Sequence, residues 1–147
     1  MTTIQEYTQQ KQMPKDLQKE VVTFLHRSLQ EYGDPQNEIN KAIDYSLNVT
    51  NTTAGGFVLV ATIEDKIVGA VVVNETGMKD YIPENILVYI ATDEAYRGKG
   101  IGKALMQKAM DVSQGNIALH VEPNNPAIKL YEKLGFTNKY LEMRYIK

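Results

Sequence analysis

Tyr96-Arg97-Gly98-Lys99-Gly100-Ile101-Gly102-Lys103-Ala104-Leu105 is the stretch that decides how the rest of the chain is read. An apolar run of strand length, Ile86–Ala91, leads into it through a polar connection from Thr92 to Tyr96. Behind it Ile101, Leu105, Ala109 and Val112 recur at helical spacing as far as Gly115. Strand, glycine loop and helix in this order suit a phosphate-bearing ligand. Glycines let backbone approach closely, and the first helical N–H groups are unpaired and sit at the positive end of the helix dipole. Arg97, Lys99 and Lys103 add formal positive charge. The competing reading is a glycine-rich turn with solvated basic residues.

Two other phosphate loops are tested by the same residues. A Walker A loop needs Lys-Ser/Thr after its last glycine, and Lys103-Ala104-Leu105 follows Gly102, so it fails. A dinucleotide fingerprint is matched in part by Gly98-x-Gly100 and by Glu122 at the end of the next strand. Its third glycine position holds Lys103, the glycines lie several residues beyond the strand, and the chain has a single such unit.

Outward from the loop the chain reads as one domain, residues 1–147, with no repeat or long linker. Thr3 to Tyr7 suits a short strand. Leu17, Val21, Phe24, Leu25 and Leu29 share a helix face stopped near Gly33. Asp34-Pro35 reads as an N-cap and first-turn proline for a second helix carrying Ile39, Ala42, Ile43 and Leu47 and fraying at Asn51. Phe57–Ile63 and Ile67–Asn74 form a hairpin about Glu64-Asp65-Lys66. After the loop helix, Ile117–Glu122 is a strand, Pro126 opens a short helix stopped by Gly135, and Phe136 to Ile146 is expected to supply at least one closing strand. The order β-α-α-β-β-β-α-β-α-β implies a mixed sheet with helices packed on it.

Composition narrows the function. The net charge of −2 argues against a nucleic-acid binder. Absence of cysteine excludes thiol nucleophiles and thiolate metal sites, and two distant histidines, His26 and His120, make a histidine metal site unexpected. The polar start MTTIQEYTQQKQMPKD lacks a signal-peptide core, and no apolar run approaches the about eighteen residues of a membrane span. A cytoplasmic enzyme without metal, membrane or nucleic-acid partner is expected.

A second motif follows the first. Asn124-Asn125-Pro126-Ala127-Ile128-Lys129-Leu130-Tyr131-Glu132-Lys133-Leu134-Gly135-Phe136 matches Asn-x-x-Ala-x-x-x-Tyr-x-x-x-Gly-Phe. Together with Arg97-x-x-Gly100-x-Gly102, it resembles the paired signatures of the GNAT superfamily of N-acetyltransferases; the likeness extends more loosely from Phe57 to the end. The resemblance implies an α/β (α+β) fold: a mixed, mostly antiparallel central sheet flanked by helices, with a bulge that splays one strand pair to hold CoA. Here that pair would be Ile86–Ala91 and Ile117–Glu122. It further implies acetyl-CoA as acyl donor, held by the backbone of Ile90, Ala91 and Thr92, by the loop Arg97, Gly98, Lys99, Gly100, Ile101, Gly102 and Lys103, and by the Asn124 side chain.

For the chemistry, the resemblance points to Tyr131 as the acid that protonates the departing thiolate, and to a backbone N–H near Ile90 as oxyanion donor. The plain alternative for Tyr131 is core packing, since Ala127, Leu130 and Leu134 share its helix face. Many family members carry a glutamate two residues before the Ile90 position; Val88 stands there in this chain. Another base is then required, His120 or Glu122, which alternate with Leu119 and Val121, with Glu84 and Tyr89 near the other wall; otherwise the amine arrives neutral. A structural histidine and a solvated strand-end acid are the ordinary readings of those two residues. A catalytically idle acyl-CoA-binding domain is the alternative function. The acceptor would be shaped by Leu17–Asn51, Glu75–Asn85 and Tyr140–Ile146. A terminal strand over Tyr140–Ile146 would expose an edge with Tyr140, Met143, Tyr145 and Ile146, so a homodimer through that strand is expected.

Overall fold

Two apolar runs with no polar alternation, Phe57–Ala61 and Ile67–Val73, demand cover on both faces, as central strands do. In the computed structural model, which describes residues 1–147, they are β2 (Gly56–Ile63) and β3 (Lys66–Glu75). Both lie inside a five-stranded sheet ordered β1 (Thr3–Tyr7), β2, β3, β4 (Asn85–Thr92) and β5 (Ile117–Leu119). The first three pairings are antiparallel and only β4–β5 is parallel. Glu64 and Asp65 both take positive φ (49° and 64°) in the two-residue turn of the β2–β3 hairpin, the geometry that matches strand twist.

Helices α1 (Lys15–Leu29) and α2 (Gln36–Leu47) cover one face. There Val21, Leu25, Ile39, Ile43 and Leu47 pack on Val58, Val60 and Val72. Helices α3 (Ile101–Val112) and α4 (Ile128–Lys133) cover the other, where Leu105, Met106, Ala109 and Tyr131 meet Leu59, Val71, Val73 and Leu87. Close approach of α3 explains Gly69: a Cβ there would lie 2.6 Å from Leu105 Cδ1. No helix is long and apolar enough to cross a membrane.

Several expectations are corrected. Asp34 does not cap α2: the N-cap is Pro35, and no side chain caps the helix. That helix ends at Leu47, with Asn48 in the left-handed conformation, rather than fraying at Asn51. Strand β5 ends at Leu119, so His120, Val121 and Glu122 lie in the connection beyond it. No strand forms over Tyr140–Ile146; the chain after α4 is irregular and exposed. A lone strand there finds no antiparallel partner with which to exchange backbone hydrogen bonds, and Tyr140, Leu141, Met143, Tyr145 and Ile146 stay in solvent.

Candidate functional site

The site is built around an irregularity in β4. Its pairing with β3 runs Val73↔Leu87 and then Val72↔Tyr89, so Val88 is an extra residue with no partner of its own. Such a bulge adds a local kink and twist and reverses which face the following side chains take. Before it Leu87 points to the α3 layer; after it Tyr89 and Ala91 point to the α1–α2 layer and Ile90 toward α3. The β4–β5 pairing covers Asn85, Ile86 and Leu87 and stops at the bulge. From Val88 to Thr92 the edge of β4 on the β5 side carries no strand partner. Strand β5 itself ends at Leu119, level with the last paired residue of β4, so this open edge lies where the resemblance implies the splay.

The closed end of this splay is pinned. Buried Asn85 donates through its side chain to the carbonyls of Gln114 (2.9 Å) and Asn116 (3.2 Å). Glu84 accepts from the backbone N–H of Asn116 (2.7 Å) and of Asp80 (3.0 Å). Those backbone donors, Asn116 first, hold its carboxyl below the ordinary value of 4.5. Glu84 is therefore a clamp at the root of β5.

Toward the open end, the glycine loop turns the chain from β4 into α3. Gly98 and Gly100 sit at φ 79° and 81°, which L residues with a Cβ rarely adopt. The first helical bond runs from the Ala104 N–H to the Gly100 carbonyl (3.0 Å), leaving the amides of Ile101, Gly102 and Lys103 without intrahelical partners. An added Cβ would meet no atom within 4 Å at either Gly98 or Gly100, so the space beside these amides is open. Arg97, Lys99 and Lys103 are exposed around it. At Gly102 a Cβ would lie 3.4 Å from Thr92 Oγ1 and 3.6 Å from Leu130 Cδ2. The end of β4, the start of α3 and helix α4 thus converge.

Tyr131, on α4, is buried at 8% exposure beside Phe136, ring centroids 6.1 Å apart. Its oxygen is not sealed: the one polar side-chain atom fully enclosed without a partner is Ser113 Oγ. Burial pushes the phenol's pKa up, so the proton stays on the hydroxyl at neutral pH. His120, Glu122 and Asn124 are exposed in the β5–α4 connection. The Asn124 carbonyl accepts from the Tyr32 hydroxyl (3.4 Å), and Asn125, its neighbour, accepts the Ala127 N–H (2.9 Å).

Sequence reading missed two contacts of the connection between α1 and α2. Tyr32 reaches Asn124, and Asp34 accepts a 2.5 Å hydrogen bond from the hydroxyl of Tyr89. The partners lie 92 and 55 residues apart. Local pattern carries no signal for such pairs, and the only hint, Asp34 before Pro35, pointed to a cap.

The comparisons agree with this geometry. The sequence profile described as the acetyltransferase (GNAT) domain matches residues 54–138. N-alpha-acetyltransferase 30 of Xenopus laevis is 34% identical over 91 residues, covering 58% of this chain and 33% of that protein. N-alpha-acetyltransferase RimI of Mycobacterium tuberculosis is 37% identical over 60 residues, covering 40% of this chain and 38% of that protein. The chain therefore spans only about a third of the first relative's length and under two-fifths of the second's. A GNAT family acetyltransferase from Streptococcus pneumoniae superposes with a TM-score of 0.72 at 19% identity, covering 100% of this chain and 98% of that one. A ribosomal-protein alanine N-acetyltransferase from Escherichia coli gives 0.68 at 20% identity, covering 93% and 78%. At such identities these structures speak to the fold alone. A mixed sheet splayed at a bulge, a glycine loop opening a helix, and a domain profile over more than half of the chain lead to one conclusion: this chain belongs to the GNAT acetyltransferase family.

Proposed function

We propose that the protein transfers an acetyl group from acetyl-CoA to a primary amine. The observation that carries this is the unpartnered edge of β4 beyond Val88, continuous with the open glycine loop. The free edge offers the backbone of Ile90, Ala91 and Thr92 to the pantetheine amides, and the loop from Arg97 to Lys103 offers amides and cations to the pyrophosphate. Asn124 is the further side chain proposed for this contact. Acetyl-CoA supplies an activated thioester. The Ile90 N–H is the proposed donor to the thioester oxygen, and Tyr131, protonated at neutral pH, holds the proton that the departing thiolate takes up. His120 and Glu122 are the proposed proton acceptors for the amine. Both are exposed beside Asn124, where water can relay the proton.

The relatives' names support a peptide α-amine as the acceptor class. A cytoplasmic location belongs to the same proposal. So does a homodimer, which would cover Tyr140, Leu141, Met143, Tyr145 and Ile146; a monomer mass in sedimentation across micromolar concentrations would remove it. A second reading, an acyl-CoA-binding domain without turnover, is favoured by the apolar Val88 at the bulge. Release of free thiol from acetyl-CoA across a panel of peptide and small-molecule amines decides between them. Release with at least one amine is expected; binding of acetyl-CoA with no release from any amine would favour the second reading.

A further inference from the structure

The contact between Asp34 and Tyr89 has a placement that simple docking of α2 does not require. Because of the bulge, Val88 and Tyr89 both face the α1–α2 side just past the end of β4–β5 pairing, and Tyr89 is the first polar side chain there. Its ring is buried at 8% exposure, and its hydroxyl donates to Asp34 Oδ2 at 2.5 Å. Burial first, then the bond to Asp34, push the phenol's pKa up, so it remains a donor throughout the neutral range. Asp34 itself is exposed. Its carboxylate enters none of the ion pairs, which join Asp93 to Arg27 and Lys66, and Glu142 to Arg144. One oxygen is thus fixed by a buried phenol, while the carboxylate has no cation of its own.

The same connection spans the splay. Two residues before Asp34, Tyr32 reaches the carbonyl of Asn124 in the segment that follows β5. Asp34 therefore stands between its anchor on β4 and a bridge to the far side of the diverging pair, on the α1–α2 face. Glu38, in the first turn of α2, is near enough to act on Tyr89 and adds to the negative potential.

Resting on the acetyltransferase reading above, we infer that Asp34, positioned by Tyr89, recognises the acceptor: it accepts hydrogen bonds from the ammonium form of the incoming α-amine. It also disfavours acceptors with a carboxylate near that amine. Asp34 is the specificity-determining residue and Tyr89 the positioning one. The favoured acceptor is a peptide N-terminus with a neutral or basic second residue, and free amino acids are poor.

The test uses the intact protein with acetyl-CoA and three tripeptide amides, Ala-Lys-Ala, Ala-Ala-Ala and Ala-Glu-Ala, plus free alanine. Wild type should rank them in that order by kcat/KM, with a KM that climbs with added salt. Asp34→Asn should raise KM for the lysine peptide by about ten- to a hundred-fold, the range for a hydrogen bond to a charged group, with kcat little changed. It should also flatten both the ranking and the salt dependence. Tyr89→Phe, which leaves the carboxylate but frees it, should raise the same KM by a smaller factor. Thermal stabilisation by acetyl-CoA reports whether each variant is folded; should Asp34→Asn fail there, Tyr89→Phe alone carries the test. Unchanged KM, ranking and salt dependence in the folded variants would overturn the role of Asp34 while leaving acetyl transfer intact. A wild-type protein that releases no thiol with any of the acceptors overturns the acetyltransferase reading itself, and this inference with it.

Discussion

Gly100 offers a perturbation whose folding and binding consequences can be separated. At φ 81° an alanine would take the left-handed region at a cost of about 1–2 kcal/mol. The loss of unfolded-chain entropy on replacing glycine returns about 0.4–1 kcal/mol. No clash adds to this, because a Cβ there meets no atom within 4 Å. Gly100→Ala should therefore cost about 1 kcal/mol, lowering Tm by about 2–4 °C for a domain near this size. Ligand binding should suffer more. Acetyl-CoA at a hundred times its Kd adds about 2.7 kcal/mol to a binding-competent fold, or about 5–11 °C by the same conversion. The added methyl stands in the open space beside the free amides of Ile101, Gly102 and Lys103, where the pyrophosphate is proposed to sit. Most of that stabilisation should vanish. Gly100→Asn is the control, since asparagine tolerates the left-handed region: its own Tm should fall less, yet it should lose the acetyl-CoA shift as fully. Thermal melts with and without acetyl-CoA, and with NAD as the ligand that should produce no shift, read both quantities. Variants that keep the full acetyl-CoA shift would refute the placement of the pyrophosphate at this loop.

Other outcomes follow from the same structure. Tyr131→Phe should cut turnover by about ten- to a thousand-fold with little change in acetyl-CoA affinity or Tm; full activity would leave Tyr131 as a packing residue. Tyr89 and Tyr131 both have pKa values raised above the ordinary 10.0 by burial, so their contribution is fully present below pH 10 and is lost as pH rises beyond it. Denaturant midpoints should fall above pH 10, and Tyr89→Phe should fall less steeply than wild type. Glu84 behaves in the opposite sense. Its lowered pKa gives stability present above 4.5 and lost as pH falls through the folded value, so the protection factor of the Asn116 amide, measured against its intrinsic exchange rate at each pH, should fall in acid, and Glu84→Gln should remove that pH dependence.

Much of this protein is legible in its order of residues, because the signals are local. Helical spacing from Ile101 to Val112, unbroken apolar runs at Phe57–Ala61 and Ile67–Val73, and glycines at the start of α3 each report on backbone within a few residues. The two motifs around Gly100 and Tyr131 carry family identity for the same reason. The ends of elements were harder to read. Leu119 closes β5 because its partner strand turns away at Val88, and nothing at 120–122 announces that. Tyr140–Ile146 has the composition of a strand but no neighbour to pair with, and a strand needs one. Tertiary structure alone set the bulge at Val88, which decides that Tyr89 faces α2 and Ile90 faces α3. It also set the pairing of Tyr89 with Asp34, made across 55 residues by packing the α1–α2 layer on the sheet. Hydrophobic periodicity determines which face of an element is buried; which polar groups then meet at a cleft depends on the register and twist of the assembled sheet.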